Sequence, residues 1–375
     1  MATEADISET QMLLNYGEQV CMNLLKDHTT QKNIYWATDS YAERGEGYTF
    51  HDYITIDKIT GDNNKLIRPR AVKTKEEQTQ RVKDKAEVFT PAWICNAQNN
   101  LVDEAWFGRT EGLFNYPDPN NPQAWINNEE KIVFTEDKTW KEYVADVRLE
   151  MTCGEAPYLA NRYDVVTGEF NQIAKYRIGM LDRKLRIVSE NAKDSKEWIL
   201  WAKIALRATY GFEWQGDNLL LAREALFFTF VEHYIEQFGE DKFNQNKMRI
   251  MPGVAYIISW NIWQMDGMTF GLPGHEEDIK RRLTRIESYN LELKKFEEKQ
   301  EQLETLMNNS LLIAEQQGLA IPKRPQLEPE GPFEGYCLIK DFFHGVNLKK
   351  ATLTTQDFHD KDAPKQTFAS LLNRN

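Results

Sequence analysis

The chain has 375 residues, with 46 Lys and Arg against 58 Asp and Glu, a formal net charge of −12 and 41% hydrophobic residues. That apolar content fills the cores of roughly two or three domains and excludes a globally disordered chain. The negative balance excludes a freestanding nucleic-acid binder built on a basic domain, so any DNA contact would be local or shared with a partner.

Along the chain, Met12 to Leu25 places an apolar stripe on a predicted helix, preceded by the cap candidates Ser8 and Thr10. Tyr48, Phe50, Tyr53 and Ile54 to Ile56 read as a strand that resumes at Leu66 after the Thr60–Asn64 turn, a hairpin. Lys73 to Lys85 is a charged run, read as a solvated helix or linker, or as a contact to a DNA backbone. Asn115 to Asn128 is a Pro/Asn-rich loop leading to strand-like Lys131–Phe134, and Asp164–Phe170 alternates around Gly168 as a second hairpin. Trp198, Trp201, Ile204 and Ala205 repeat at helical spacing before strand-like Ala208–Trp214 and a helix from Asn218 to Phe238. Helix, strand, helix is the rhythm of an α/β layer. Val254 to Trp260 is a continuous apolar run, expected to be a doubly buried strand. Glu276 to Gln317 reads as one or two long charged helices, Pro322 to Pro332 as a connector, Tyr336–Phe343 as a short strand and Thr355–Asn375 as a polar tail.

No run approaches the ~20 apolar residues of a membrane helix, and Met1 to Thr10 is acidic and polar, so the expected location is cytoplasmic with no membrane contact. Cys21, Cys95, Cys153 and Cys337 lie far apart, which predicts free thiols rather than a disulfide framework or zinc cluster. The six histidines show no ligand spacing, and no metal site is expected.

Four islands carry chemistry. Glu87-Val88-Phe89-Thr90-Pro91 offers a helix start, with Thr90 as cap and Pro91 in the first turn. Glu150-Met151-Thr152-Cys153-Gly154-Glu155-Ala156-Pro157-Tyr158-Leu159 ends a strand in a sharp turn, where small residues let a backbone approach a ligand. Tyr210-Gly211-Phe212-Glu213-Trp214-Gln215-Gly216-Asp217-Asn218 closes another strand and leads into a helix, with Glu213 and Trp214 at the place where doubly wound folds grip ribose hydroxyls. Asn261 to Met268 follows the apolar run and holds Asp266, which either meets a ligand or caps the next turn.

In this order the islands resemble the adenine-specific DNA methyltransferases of restriction-modification systems, in the group whose cofactor motifs precede the catalytic one. The first is similar to the family's Phe-Thr-Pro element, the second to its Asp-Pro-x-Cys-Gly-Ser-Gly-x-Phe-Leu loop, and the fourth to Asn-Ile-x-x-Gly-Asp. The resemblance implies S-adenosylmethionine as cofactor. It also implies that Phe89, Thr90, Pro91, Glu150, Cys153, Gly154, Ala156, Glu213, Trp214 and Asp266 hold that cofactor. Glu213 follows Gly154 by 59 residues where about 20 is usual, which calls for an insertion near Gly168. The family's catalytic Asn/Asp-Pro-Pro-aromatic tetrapeptide occurs nowhere in the sequence, and no catalytic residue is assigned.

The expected fold is therefore α/β, a Rossmann-like S-adenosylmethionine-dependent methyltransferase core at 86–274. Around it stand an N-terminal α/β segment (1–85), a helical insertion with a Pro-rich connector (275–330), and a short strand with a polar tail (331–375). The resemblance further implies a second protein chain supplying the catalytic motif and target recognition, with DNA reached through that complex. The other reading is a methyltransferase-like interaction or regulatory protein without catalysis, acting on a restriction or defence complex.

Overall fold

Three short parallel strands organise the larger part of the molecule. The computed structural model describes residues 8–85, 87–309, 324–326, 337–340, 342 and 365–367. They fall into two units, Met1–Pro273 with Cys337–Asn375, and Gly274–Tyr336. In chain order the first unit holds α1 (Glu9–Tyr16), α2 (Glu18–Leu25), α3 (Ile56–Ile59), α4 (Lys75–Lys85), α5 (Ala92–Phe107), β1 (Asn115–Asp118), β2 (Asn121–Asn127) and α6 (Trp140–Ala145). There follow β3 (Arg148–Met151), α7 (Met180–Asn191), α8 (Ser195–Arg207), β4 (Thr209–Glu213), α9 (Gly216–Phe238), α10 (Glu240–Asn261) and β5 (Ile262–Gln264). The second unit contributes α11 (Glu276–Asn309), after which β6 (Leu338–Lys340) and β7 (Lys365–Thr367) pair antiparallel in the first unit. The protein is thus mixed α/β, with a small parallel sheet in the order β3-β4-β5.

Burial explains why these segments take these forms. All five residues of the central strand β4 are buried, with β3 and β5 hydrogen-bonded parallel on its two sides. In α9 every residue from Gly216 to Ile235 is buried, as expected of a helix covered on all faces rather than on one stripe. Asp194 caps α8 by accepting the Lys196 and Glu197 N–H groups at 2.8 and 2.9 Å, and Trp198 packs edge-on against Phe230 and Tyr234.

A buried ionic cluster fixes α5 against the sheet. Asp103 accepts from Arg148 of β3 at 2.7 Å, from Arg183 of α7 at 2.5 Å and from the Tyr143 hydroxyl at 2.8 Å. Because α5 begins directly after Phe89-Thr90-Pro91, this cluster also sets where that loop lies.

Residues 8–85, drawn as a separate segment from sequence, share one core with the sheet layer. Val20, Leu24, Trp36 and Ile54 join Leu219, Val254 and Ile262 in a single buried cluster. Gly216 makes that junction possible. Its N–H donates to the Trp36 carbonyl at 2.9 Å, and a Cβ placed there would come within 1.8 Å of the Tyr35 carbonyl oxygen.

Several expected elements take other forms. The Met12–Leu25 helix breaks into α1 and α2 at Gly17, whose φ of 83° lies in the left-handed region. Instead of a Tyr48–Leu66 hairpin, the chain at 50–54 bonds back to 34–37 through Trp36 N–H to Asp52 O and Ala37 N–H to Phe50 O, while Ile56 begins α3. The Asn115–Asn128 loop is the β1–β2 hairpin, with its prolines on exposed or partly exposed edges, and Lys131–Phe134 has no regular structure. Asp164–Phe170 is a turn at Gly168 closed by the single bridge Tyr163–Phe170.

The run Val254–Trp260 is the end of α10, and the strand starts only at Ile262. A continuous apolar run carries no period, and here its surroundings on α2, α8 and α9 select the helix. Within the described residues, Glu276–Gln317 is one helix to Asn309; the Pro-rich connector, apart from 324–326, and most of the 355–375 tail lie outside them. Among the described residues, no helix is long and apolar enough to cross a membrane.

Candidate functional site

The carboxyl ends of β3, β4 and β5 open on one cleft of about 480 Å³. In open parallel sheets this edge is where helix N-termini and loop backbones converge, and where ligands bind. Each strand contributes an acid at or just beyond its end: Glu150 from β3, Glu213 from β4 and Asp266 after β5.

After β3 the chain turns through Thr152, Gly154 and Ala156, with φ of 55°, 54° and 62°. Two of these are not glycine, and the left-handed conformation costs such residues of order 1–3 kcal/mol each. The turn is held by Ala156 N–H to Cys153 O at 2.7 Å and Leu159 N–H to Ala156 O at 3.1 Å. At Gly154 a side chain would also crowd Phe89, since a Cβ would lie 3.0 Å from its ring. Glycine here lets Phe89 close over the loop.

Glu213 is 8% exposed and accepts the Gly154 N–H at 3.0 Å and the Gln215 N–H at 3.1 Å. Burial pushes its carboxyl up to about 7; the Asp217 carboxylate adds to the rise, and the backbone N–H bonds oppose it. Glu150 is equally buried and is pushed well above the carboxylate range, first by burial and then by Glu213, against the bonds from the Tyr158 and Leu159 amides. One oxygen of Glu150, Oε2, has no partner within the protein. The thiol of Cys153 is raised well above its ordinary value by burial, so it packs under the loop as a neutral group.

The raised carboxyl of Glu213 has a consequence for stability. A carboxyl whose folded value, about 7, exceeds its ordinary 4.5 binds more protons folded than unfolded, so its penalty is absent below pH 4.5 and grows to full size above pH 7. Glu213→Gln should therefore gain on the wild type by up to about 3 kcal/mol between pH 4.5 and 8. Urea unfolding at the two pH values checks this; a gain independent of pH would contradict it.

Asp266 caps the turn that follows it. Its Oδ1 accepts from the N–H groups of Met268 and Thr269 at 3.0 and 2.7 Å and from the Thr269 hydroxyl at 2.8 Å. Gly267, next to it, lies against Phe212, and a Cβ would come within 2.9 Å of that ring.

The outer wall is set by a second ionic cluster. Arg81 of α4 grips Glu87 with two bonds, at 2.7 and 2.8 Å, and pairs with Asp217 Oδ2 at 2.8 Å. Asn218 donates to Glu87 at 2.6 Å, and Tyr41 donates to Asp217 at 2.9 Å. The cluster ties α4, the Glu87–Thr90 strap and the first turn of α9 into one piece, with Glu87 and Asn218 on the cleft.

Eight of the ten residues expected to hold a ligand line this cleft: Phe89, Thr90, Glu150, Cys153, Gly154, Glu213, Trp214 and Asp266. Pro91 and Ala156 are not among its walls. Pro91 is itself the N-cap position of α5, and the capping acceptor expected from Thr90 is supplied by Asp164, which takes the Ala92 N–H at 2.9 Å. Ala156 has the backbone of a glycine position, but its methyl group is fully buried in the core. The 59-residue interval before Glu213 is filled by a long loop with α7 and α8, rather than by a hairpin. Sequence reasoning did not assign Glu87, Tyr158, Gln215, Asn218 or Met265. All five stand inside the four islands, and the bond from Asn218 to Glu87 joins two islands far apart in sequence.

Among the described residues, no group of three His, Cys, Asp or Glu could hold a metal ion, and the four cysteines are buried and unpaired. Comparison of the chain with protein-family models, curated proteins and solved structures gives no match.

Proposed function

We propose that the cleft binds S-adenosylmethionine, and that the chain is the cofactor-binding part of an adenine-specific DNA methyltransferase of the restriction-modification type. The observation that carries this reading is convergence. Four islands spread from residue 87 to residue 268 meet at the carboxyl edge of three parallel strands, in one cleft. The order β3-β4-β5 is that of one half of a Rossmann-like core, the finer fold that this reading requires.

The residues fit the parts of such a cofactor. Glu213, at the end of the central strand, is placed to accept two ribose hydroxyls. Trp214 and Phe89 offer flat walls for the adenine and the methionine end. The turn bonds of Asp266 all fall on Oδ1, which leaves Oδ2 for the exocyclic amine of the adenine. The unpartnered oxygen of Glu150 leaves one buried polar atom on the cleft wall for a polar atom of the ligand to meet. When bound, the cofactor would supply an activated methyl group. This chain's own part is to hold it and exclude water, because the sequence contains no Pro-Pro-aromatic motif to accept the hydrogens of a flipped adenine amine. A partner chain carrying that motif and target recognition completes the proposal, with the DNA groove shared between them.

One observation favours an interaction surface at the mouth. Val88 and Met151 line the cleft yet are 79% and 69% exposed, and Met268, beside Gly267, is 88% exposed. In the second reading, an inactive methyltransferase-like regulator, the same apolar rim would seat a protein in place of a catalytic subunit.

Equilibrium binding of radiolabelled S-adenosylmethionine tests the first reading. Asp266→Ala should weaken binding about tenfold, the worth of one hydrogen bond to a charged group. Binding by the folded variant that equals the wild type would refute the assignment.

A further inference from the structure

We propose that a second cleft, beside α4, is a phosphate-binding site anchored by Lys73. It encloses about 680 Å³, within the range of small-molecule sites, and its walls include Tyr41, Leu66, Arg68, Lys73, Glu76 and Arg81. This proposal does not rest on the methyl-donor reading.

The central observation is an amine without an acceptor. Lys73 is 8% exposed, its Nζ is buried, and no protein atom accepts a hydrogen bond from it. An ammonium carries three donors, and buried donors are almost always paired. The charge of Lys73 reaches Glu155 and Asp217, but neither accepts a hydrogen bond from it. Glu155 accepts the Arg70 N–H at 2.6 Å and the Tyr163 hydroxyl at 2.7 Å, and Asp217 is held by Arg81 and Tyr41. Of the acids on the cleft itself, Asp39 accepts the Phe50 N–H at 2.8 Å, Glu77 accepts from Arg68 at 2.6 Å, and Glu76 stands on the exposed side of α4.

The segment that carries Lys73 is locally basic, while the cleft walls set Asp39, Glu76 and Glu77 beside Arg68, Lys73 and Arg81. Residues 65–85 hold eight Lys and Arg against three Asp and Glu, a local excess of five positive charges in a chain of net −12. A phosphate brings several acceptor oxygens to one point, which suits the ammonium of Lys73, with the guanidinium of Arg68 on the same wall. A free phosphate compound and a nucleic-acid backbone both carry that group, and the two sources are separable.

The test uses the full chain with inorganic phosphate and with a short labelled DNA duplex. Wild-type protein should show a saturable rise in melting temperature with phosphate, which Lys73→Met abolishes, Lys73→Arg partly keeps and Lys75→Gln, exposed at the start of α4, leaves intact. If the phosphate is that of a nucleic acid, Lys73→Met also weakens duplex binding about tenfold and lowers its salt dependence by about one ion. If the source is a free phosphate compound, duplex affinity stays at the wild-type value while the phosphate response is lost. A full phosphate response in Lys73→Met, or none in the wild type, overturns the proposal; if the methionine variant fails to fold, a response in Lys73→Arg equal to that of the wild type overturns it instead.

Discussion

Replacing Arg81 by methionine is expected to destabilise the protein by about 3–5 kcal/mol, the range found when one partner of a buried ion pair is removed. Its side chain is 7% exposed, and those of Glu87 and Asp217 are 5% and 0% exposed, so the variant leaves two carboxylates buried without their cation. Burial works against Asp217, yet the charge of Arg81 holds its carboxyl down at about 2. Without that charge the folded state must either take up a proton or bear an unpaired anion. Arg68→Met supplies the contrast, because the Arg68–Glu77 pair is 36% and 42% exposed and should contribute less than 1 kcal/mol. Urea unfolding of both variants at pH 7 checks the difference. Equal small losses would show that the Arg81 cluster does not hold α4 and the Glu87 strap onto α9.

The second large effect concerns the proposed cofactor. Glu213→Ala removes the acceptor for two ribose hydroxyls and should weaken S-adenosylmethionine binding by at least about a hundredfold, at about 1.5–3 kcal/mol for each bond to a charged group. The pH dependence gives a sharper signature. The ionised carboxylate is the accepting form, and the group titrates at about 7, so wild-type affinity should rise nearly tenfold per pH unit below that value and level off above it. Glu213→Gln should remove the slope along with most of the affinity. A flat wild-type profile from pH 5.5 to 8.5 would place the hydroxyl contacts elsewhere.

What could be read from sequence depended on whether the deciding interaction was local. Glu213 was legible because a strand of buried residues ends there, one turn before a helix begins. The Cys153-Gly154 turn was legible for the same reason, since left-handed backbone and close approach mark the chain itself. The run Val254–Trp260 misled because six apolar residues broken only by Ser259 suit either a strand or a helix, and the choice lies in packing partners far away in sequence. Arg81 was hidden inside a charged run that looks solvated, and only folding brings it to Glu87 and Asp217. Pro91 and Ala156 show the limit of transferring roles by position. Ala156 keeps the backbone shape of its place in the loop, but its side chain serves the core, and the cap assigned to Thr90 comes from Asp164, far along the chain.

Calorimetric titration of S-adenosylmethionine into the intact chain at pH 8 decides whether the cleft at the carboxyl ends of β3, β4 and β5 holds this cofactor. Saturable one-to-one binding in the micromolar range is expected, falling away when the titration is repeated at pH 5.5. A folded chain that releases no heat and shows no binding at either pH would contradict it, and would leave the cleft and its apolar rim to the protein-binding reading.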